Sequence, residues 1–245
     1  MHKAAVGYAI GKLMQVMGLL LLVPMGIGIY DNIHLPLAEL VVQGDILGFW
    51  IAILVAVLAG TQMVVAFKSG RDEQGIKEGY AIVTIGWLSL TLVSCIPLVT
   101  HFMSQDPLAW SNFFRHFTDA YFEIMSGFTT TGATILTDIE AAPRSILFLR
   151  ALTHWLGGMG IITLAIVVFP AMGVFGYQMF RGEVPGPTKE RLYPRLAQTA
   201  SVLWGVYLLL SAAETVLLTF GGMNLFDAVC HTFATMATGG FSTKN

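Results

Sequence analysis

The chain has 245 residues, of which 55% are hydrophobic and 11% are charged, and its formal net charge is −2. Soluble domains carry roughly 25% charged residues, so this composition excludes an ordinary soluble domain and indicates an integral membrane protein. The charge leaves no basic surface for nucleic acid. We therefore expect an all-α, polytopic membrane protein.

Five apolar stretches are long enough to cross a bilayer as helices, which takes about 20 residues. They cover residues 13–30, 46–67, 80–102, 151–180 and 196–220. No small-residue cleavage site follows the first stretch, so we interpret it as a retained membrane helix. Polar residues predict loops at residues 31–45, 68–77 and 105–107, and a basic loop at Arg181–Arg195.

Two further apolar runs, Phe113–Met125 and Leu225–Met236, are too short to cross. Each precedes a Thr/Gly-rich segment, Ser126-Gly-Phe-Thr-Thr-Thr-Gly-Ala-Thr134 or Ala237-Thr-Gly-Gly-Phe-Ser242. Asp119-Ala120 aligns with Asp227-Ala228 without a gap, which places Thr130 on Thr238 and Gly132 on Gly240 at a constant offset of 108 residues. This pattern indicates an internal repeat.

A short helix followed by a Thr/Gly turn is the form of a re-entrant pore helix and a selectivity filter. Non-helical backbone at membrane depth is tolerated where protein buries it or water reaches it, and its carbonyl oxygens can replace the water shell of a monovalent cation. The predicted ion-binding backbone is Thr130, Thr131, Gly132, Thr238, Gly239 and Gly240, flanked by Thr129, Ala133, Ala237 and Phe241. The alternative is that these small residues merely let helices pack closely.

These patterns divide the chain into three parts. Residues 1–78 hold two N-terminal transmembrane helices. Residues 79–181 form a first helix–pore-helix–helix repeat, with its pore helix at about 113–127 and its filter at 128–134. Residues 182–245 form a second repeat, with its pore helix at about 225–236 and its filter at 237–242, where the chain stops before a closing helix.

The distribution of Lys and Arg favours one orientation. If the N-terminus is cytoplasmic and both short runs return to the outside, nine basic residues lie inside and four outside, in agreement with the positive-inside rule. The inside set is Lys3, Lys12, Lys68, Arg71, Lys77, Arg181, Lys189, Arg191 and Arg195, and the outside set is Arg115, Arg144, Arg150 and Lys244.

Several polar residues near the short runs predict supporting roles. Asp119 and Asp227 lie early in their runs and would complement the positive helix N-terminus, with Asn224 as an N-cap. Glu123 corresponds to His231 at the repeat offset, and we expect both to support the filter rather than to touch the ion.

Features of the fourth apolar stretch admit more than one interpretation. Its glycines at 157, 158 and 160 favour close packing against a pore helix over a hinge. His154, beside Trp155, favours an interfacial position over metal ligation.

The quoted Thr/Gly motifs, together with His154-Trp-Leu-Gly-Gly-Met-Gly-Ile161, resemble the superfamily of bacterial Trk and Ktr potassium transporters and plant and fungal HKT proteins, the TrkH type above all. The resemblance implies four repeats around one pore, each with one key glycine, here Gly132 and Gly240. Glycine at position 132 agrees with potassium-preferring members, whereas serine would suggest a sodium preference.

The resemblance also implies partners and a location. These are a bacterial inner membrane, a homodimer, and a cytoplasmic nucleotide-binding regulatory subunit of the TrkA type near Arg181–Arg195, although the basic charge of that loop equally fits lipid headgroups. Since the third and fourth repeats do not follow Asn245, we expect the chain to be the N-terminal half of a longer protein.

The leading hypothesis is thus potassium uptake, with potassium as the transported ion, no organic cofactor and no enzymatic activity. The alternatives are a sodium-preferring transporter, a non-conducting fragment or scaffold, and an intramembrane enzyme using His154 or Glu123 as a base. No nucleophile, carboxylate-pair or metal-site spacing supports the enzyme.

Overall fold

The structure, a computed structural model, describes residues 2–70, 76–106, 108–171 and 192–245. Within these ranges every regular element is helical and none is a strand, which confirms the predicted all-α class. The helices are α1 (Lys3–Leu20), α2 (Leu22–Asp31), α3 (Leu37–Val42), α4 (Gly44–Ala66), α5 (Ile76–Ser94), α6 (Ile96–Gln105), α7 (Phe113–Phe128), α8 (Arg144–Ala171), α9 (Leu192–Phe220) and α10 (Leu225–Met236), with a 3₁₀ turn at Lys68–Gly70.

Four stretches of the described chain are long and apolar enough to cross a membrane, namely Lys3–Asp31, Gly44–Ala66, Lys77–Gln105 and Ala200–Phe220. The first and third each consist of two helices that meet at a single non-helical residue, Leu21 or Cys95. Proline explains both breaks, because Pro24 and Pro97 lack the N–H that would bond back to the preceding turn.

Three predicted features differ from the structure or lie beyond it. Residues 31–45 are not a simple loop, since α3 forms within them. The first helix begins at Lys3, ten residues before the predicted apolar stretch. Residues 172–180 of the fourth apolar stretch, and residues 181–191 of the basic loop, lie outside the described residues.

Helix α8 occupies the centre of the site-bearing part of the molecule. It packs against both short helices, α7 and α10, and against α2, α5 and α9. Helix α4 packs along α1 and α6. The Thr/Gly segments therefore lie at the ends of two short helices that share one long neighbour.

Candidate functional site

The first short helix ends in a defined hydrogen-bonded turn. The N–H of Thr130 donates to the carbonyl of Gly127 at 3.0 Å, and the N–H of Thr131 donates to the carbonyl of Ser126 at 2.9 Å. This pair of bonds is the Schellman motif, which satisfies carbonyls that a helix C-terminus otherwise leaves without donors.

The second short helix ends in the same motif at the same offset. The N–H of Thr238 donates to the carbonyl of Thr235 at 2.8 Å, and the N–H of Gly239 donates to the carbonyl of Ala234 at 2.9 Å. Each of these four residues stands 108 positions after its counterpart at the end of α7. The repeat detected in the sequence is therefore a repeat of backbone structure.

The two Thr/Gly segments also share unusual backbone angles. Thr130 and Thr238 have φ of 54° and 55°, and Gly132 and Gly240 have φ of 74° and 91°. Positive φ suits glycine, but it is a genuine outlier for a β-branched residue. Each threonine therefore stores strain of about 1–3 kcal/mol, which persists because the surrounding structure over-determines it. The sequence motif identifies the glycines, whereas propensity alone would not place a threonine in this conformation.

The two segments lie directly beside one another. A Cβ atom at Gly132 would overlap the carbonyl oxygen of Gly239. Two independent reasons therefore favour glycine at position 132: its φ is positive, and the carbonyl of Gly239 leaves no room for a side chain. The six residues predicted to bind the ion therefore lie in two backbone segments that contact each other.

Helix α8 contacts the ends of both short helices through consecutive glycines. A Cβ atom at Gly157 would overlap the carbonyl of Phe128, where α7 ends, and one at Gly158 would lie 3.0 Å from Cα of Ala237, just after α10. The close packing against the short helices that was predicted for three glycines is therefore seen at Gly157 and Gly158, whereas Gly160 packs against Trp87 of α5.

Behind the first segment lies Glu123, which is fully buried. One carboxylate oxygen accepts hydrogen bonds from the Thr134 hydroxyl at 2.7 Å and from Nε of Arg150 at 2.7 Å. The other oxygen accepts the N–H of Ile135 at 2.8 Å. The carboxylate therefore holds the last residue of the first Thr/Gly segment and the residue that follows it.

Arg150 was predicted to be an outside charge that precedes the fourth apolar stretch, but it is only 1% exposed and lies within α8. Besides bonding Glu123, its guanidinium donates to the Thr134 hydroxyl and to the carbonyl of Ser242, each at 3.2 Å. It also lies 4.2 Å from the ring centroid of Phe241. Sequence reasoning missed this residue, although a charge four positions before His154 in an apolar helix is the signal that could have found it.

His154 is fully buried, so the interfacial position favoured for it was wrong. Its ring stacks on Phe241 with centroids 4.0 Å apart and an interplanar angle of 27°. A Cβ atom at Gly239 would lie 2.6 Å from the imidazole. Among the described residues neither ring nitrogen has a hydrogen-bond partner. His154 thus packs directly behind the second segment.

The second segment is held by a different polar contact. The Thr243 hydroxyl donates to Asp227 at 2.7 Å and lies 3.4 Å from Nε2 of His231. Asn224 caps α10 by accepting the N–H of Asp227, as predicted. Asp227 lies in the first turn of α10, where it can complement the positive helix N-terminus. Asp119 does not, because α7 begins at Phe113 and Asp119 lies beyond its first turn, 3.8 Å from Arg115.

The start of α7 is held by Asp106 in the preceding connector. Its carboxylate accepts hydrogen bonds from Asn112, from the N–H of Leu108 and from His116. These contacts, with that from Asn112 the largest, lower the pKa of Asp106 to about 2. Within the described part of the chain, no cluster of three or more His, Cys, Asp or Glu residues could hold a metal ion.

Comparisons with a protein family and with individual proteins agree on the kind of protein that this chain resembles. The family described as "TrkH: Cation transport protein" matches residues 46–245. The Trk system potassium uptake protein TrkH of Escherichia coli K12 is 42% identical over 192 residues, which cover 78% of this chain and 38% of the relative. TrkG of the same organism is 33% identical over 247 residues, which cover 100% of this chain and 47% of the relative.

A solved structure agrees with these relatives. The crystal structure of the potassium transporter TrkH from Vibrio parahaemolyticus matches with a TM-score of 0.75 and 30% identity, covering 99% of this chain and 45% of that one. The chain therefore spans less than half the length of each of these relatives.

Proposed function

The chain belongs to the TrkH family of cation transport proteins, and from this premise we propose that it forms part of the ion-translocating subunit of a potassium uptake system. The family resemblance predicted from the sequence is confirmed. The relatives are named as potassium uptake proteins, and the family is one of cation transporters rather than of enzymes.

The observation that carries the proposal is the matched backbone of the two adjacent Thr/Gly segments. The same turn and the same positive φ values recur 108 residues apart, at 130 and 238 and again at 132 and 240. A pore needs such repetition, because each strand must offer its carbonyl oxygens to one ion in the same way. Mere packing of small residues would not require strained threonines at equivalent positions.

The electrostatic environment supports a cation at this place. Each Thr/Gly segment begins at the C-terminus of a short helix, α7 or α10, and the helix dipole is negative at that end. In our proposal the ion is bound by backbone oxygens of Thr130–Gly132 and Thr238–Gly240, while Glu123 and His231 act behind them. Glu123 is paired with Arg150, which argues against its use as a free general base.

We propose that the protein lies in a bacterial inner membrane with a cytoplasmic N-terminus, and that both short helices are re-entrant. With Arg150 assigned to the buried interior, the proposed outside set keeps Arg115, Arg144 and Lys244, so the excess of inside charge increases. The proposed partners are a TrkA-type regulatory subunit, a second copy of the subunit and membrane lipid. The relatives' names, which describe proteins of a Trk system, support the partner subunit.

The test is potassium-dependent growth of a bacterial strain that lacks its own potassium uptake. The complete native gene that encodes this chain is expressed with Gly132 intact or as Gly132→Ser. We expect the wild type to restore growth at low potassium and the serine variant to raise the half-maximal potassium concentration by about tenfold, a change equivalent to ~1.4 kcal/mol.

Gly222→Ser is the matched control. Gly222 also has positive φ, at 97°, but a Cβ atom there meets nothing within 4 Å and the residue lies between α9 and α10. Equal growth of wild type and Gly132→Ser at equal membrane expression would contradict the proposal that the Thr/Gly segments form a selectivity filter. A higher sodium than potassium flux in the wild type would instead assign a sodium-preferring transporter.

A further inference from the structure

Arg150 connects the C-terminal ends of the two Thr/Gly segments. It donates to Thr134, the last residue of the first segment, and to the carbonyl of Ser242, the last residue of the second. Since both bonds start from one planar guanidinium on the long helix α8, the distance between the two segments is tied to the position of a single side chain.

Phe241 adds an apolar connection to the same point. Its ring lies against the guanidinium of Arg150 and stacks on His154, one helical turn further along α8. On the α7 side, a Cβ atom at Gly127 would be 3.5 Å from the Phe241 ring. The second segment is therefore inserted between α8 and the end of α7.

Charge balance alone does not account for this arrangement. The pair of Arg150 and Glu123 is almost fully buried, with side chains 1% and 0% exposed. A buried ion pair is often no more stabilising than apolar residues of similar size, because both charges lose their hydration. What an apolar pair could not supply is the set of directed hydrogen bonds to Thr134, Ile135 and Ser242.

We propose that Arg150 is a positioning residue for ion selectivity, which sets the spacing of the two Thr/Gly segments through its bonds to Thr134 and Ser242 and its contact with Phe241. This inference rests on the proposed function, because it assigns a control over the filter. A spacing that fits potassium would be lost if the bridge were loosened, while the folded protein would remain.

The experiment separates positioning from neutralisation of Glu123. Arg150→Lys keeps the charge and loses the planar fork of donors. The double variant Glu123→Gln with Arg150→Met removes both charges together, so that no buried charge is left alone. Purified protein from the complete native gene is placed in vesicles, and the ratio of potassium to sodium flux is measured together with the amount of folded protein.

We expect both variants to fold in near wild-type amount, and the flux ratio to fall about tenfold, as for the loss of hydrogen bonds to a charged group. A wild-type ratio in either variant would overturn the inference. If the Arg150 variants do not accumulate, Phe241→Leu leaves the ion pair untouched and must also lower the ratio, and an unchanged ratio there would equally overturn it.

Arg144→Lys is the control on the same helix. Arg144 also pairs with a carboxylate, Asp31, and also lies over an aromatic ring, Phe226, at 4.3 Å, but neither partner belongs to a Thr/Gly segment. We expect it to keep the wild-type ratio. A wild-type protein that carries no potassium would instead overturn the proposed function, so the two failures are distinguished.

Discussion

The two Thr/Gly segments have the same backbone and different supports. Helices α7 and α10 end in the same turn and lead into the same positive φ values. At the end of the first segment, a buried carboxylate holds the chain at Thr134 and Ile135. At the end of the second, the aromatic ring of Phe241 and the hydroxyl of Thr243 hold the chain.

Equivalent positions make this contrast explicit. Phe241 corresponds to the exposed Ala133, and His231 corresponds to the buried Glu123. The backbone must repeat if it faces one shared ion, whereas each support has only to match the elements that surround it. Repetition therefore marks the surface that acts on the ion, and divergence marks the packing behind it.

The largest predicted effect is the difference in unfolding free energy between removing Glu123 behind the first segment and removing His231 behind the second. Glu123→Ala leaves Arg150 buried without its partner, so we expect a loss of about 3–5 kcal/mol in the free energy of unfolding. His231→Ala, at the equivalent position, removes one long contact of 3.4 Å, and we expect a loss of less than about 1 kcal/mol. Chemical unfolding of the purified protein in detergent measures both. Similar losses would show that the two supports are equivalent after all.

A smaller effect tests the shared backbone. Thr130→Gly and Thr238→Gly each remove strain of about 1–3 kcal/mol, against a glycine entropy penalty of about 0.5–1 kcal/mol. We expect each variant to gain about 1 kcal/mol in unfolding free energy, measured as above, and the two gains to be equal.

Thr131→Gly is the control for this pair, because φ is not positive at Thr131. It should lower stability by roughly the glycine penalty of about 0.5–1 kcal/mol. A gain at Thr130 without one at Thr238 would break the equivalence of the two turns.

The smallest effect concerns how the two short helices begin. Asp106 holds the start of α7, and its pKa is lowered from 3.8 to about 2 by hydrogen bonds from Asn112, Leu108 and His116. Its contribution to stability is therefore present above pH 3.8 and is lost as the pH falls toward 2. At the start of α10, the uncharged side chain of Asn224 accepts the capping bond.

Asp106→Asn should consequently flatten the fall in melting temperature between about pH 5 and about pH 2.5. Thermal unfolding of the purified protein across this range measures the change. Thr118→Ala, which removes a neutral hydroxyl that donates to the carbonyl of Phe114 within α7, should leave the acid dependence as in the wild type. An unaltered pH profile in Asp106→Asn would show that the carboxylate does not anchor α7.

The sequence predicted those features of the protein that depend on local, repeated patterns. The all-helical class and the family followed from apolar stretches and from the Thr/Gly motifs, and both are confirmed. The offset of 108 could be found because Asp-Ala, Thr and Gly recur without a gap. The roles of the ion-binding residues stay predictions, which the experiments above address.

Contacts between distant residues could not be read in this way. Arg150 was counted as an outside charge because its partners Glu123 and Ser242 lie 27 and 92 positions away. His154 was placed at an interface because its neighbour Trp155 is an interfacial residue type, whereas Phe241, 87 positions away, covers its ring. Strained threonines escape prediction because propensity argues against their conformation.

The consecutive glycines of α8 have a mechanical consequence. Gly157 and Gly158 lie about 100° apart around the helix axis, and one contacts the end of α7 while the other contacts the end of α10. Rotation of α8 would bring the side chains beside these glycines toward both contacts, and close-packed interiors resist such overlap. A displacement of α8 along its axis moves both contacts in the same sense. Movement of this helix therefore reaches both Thr/Gly segments at once.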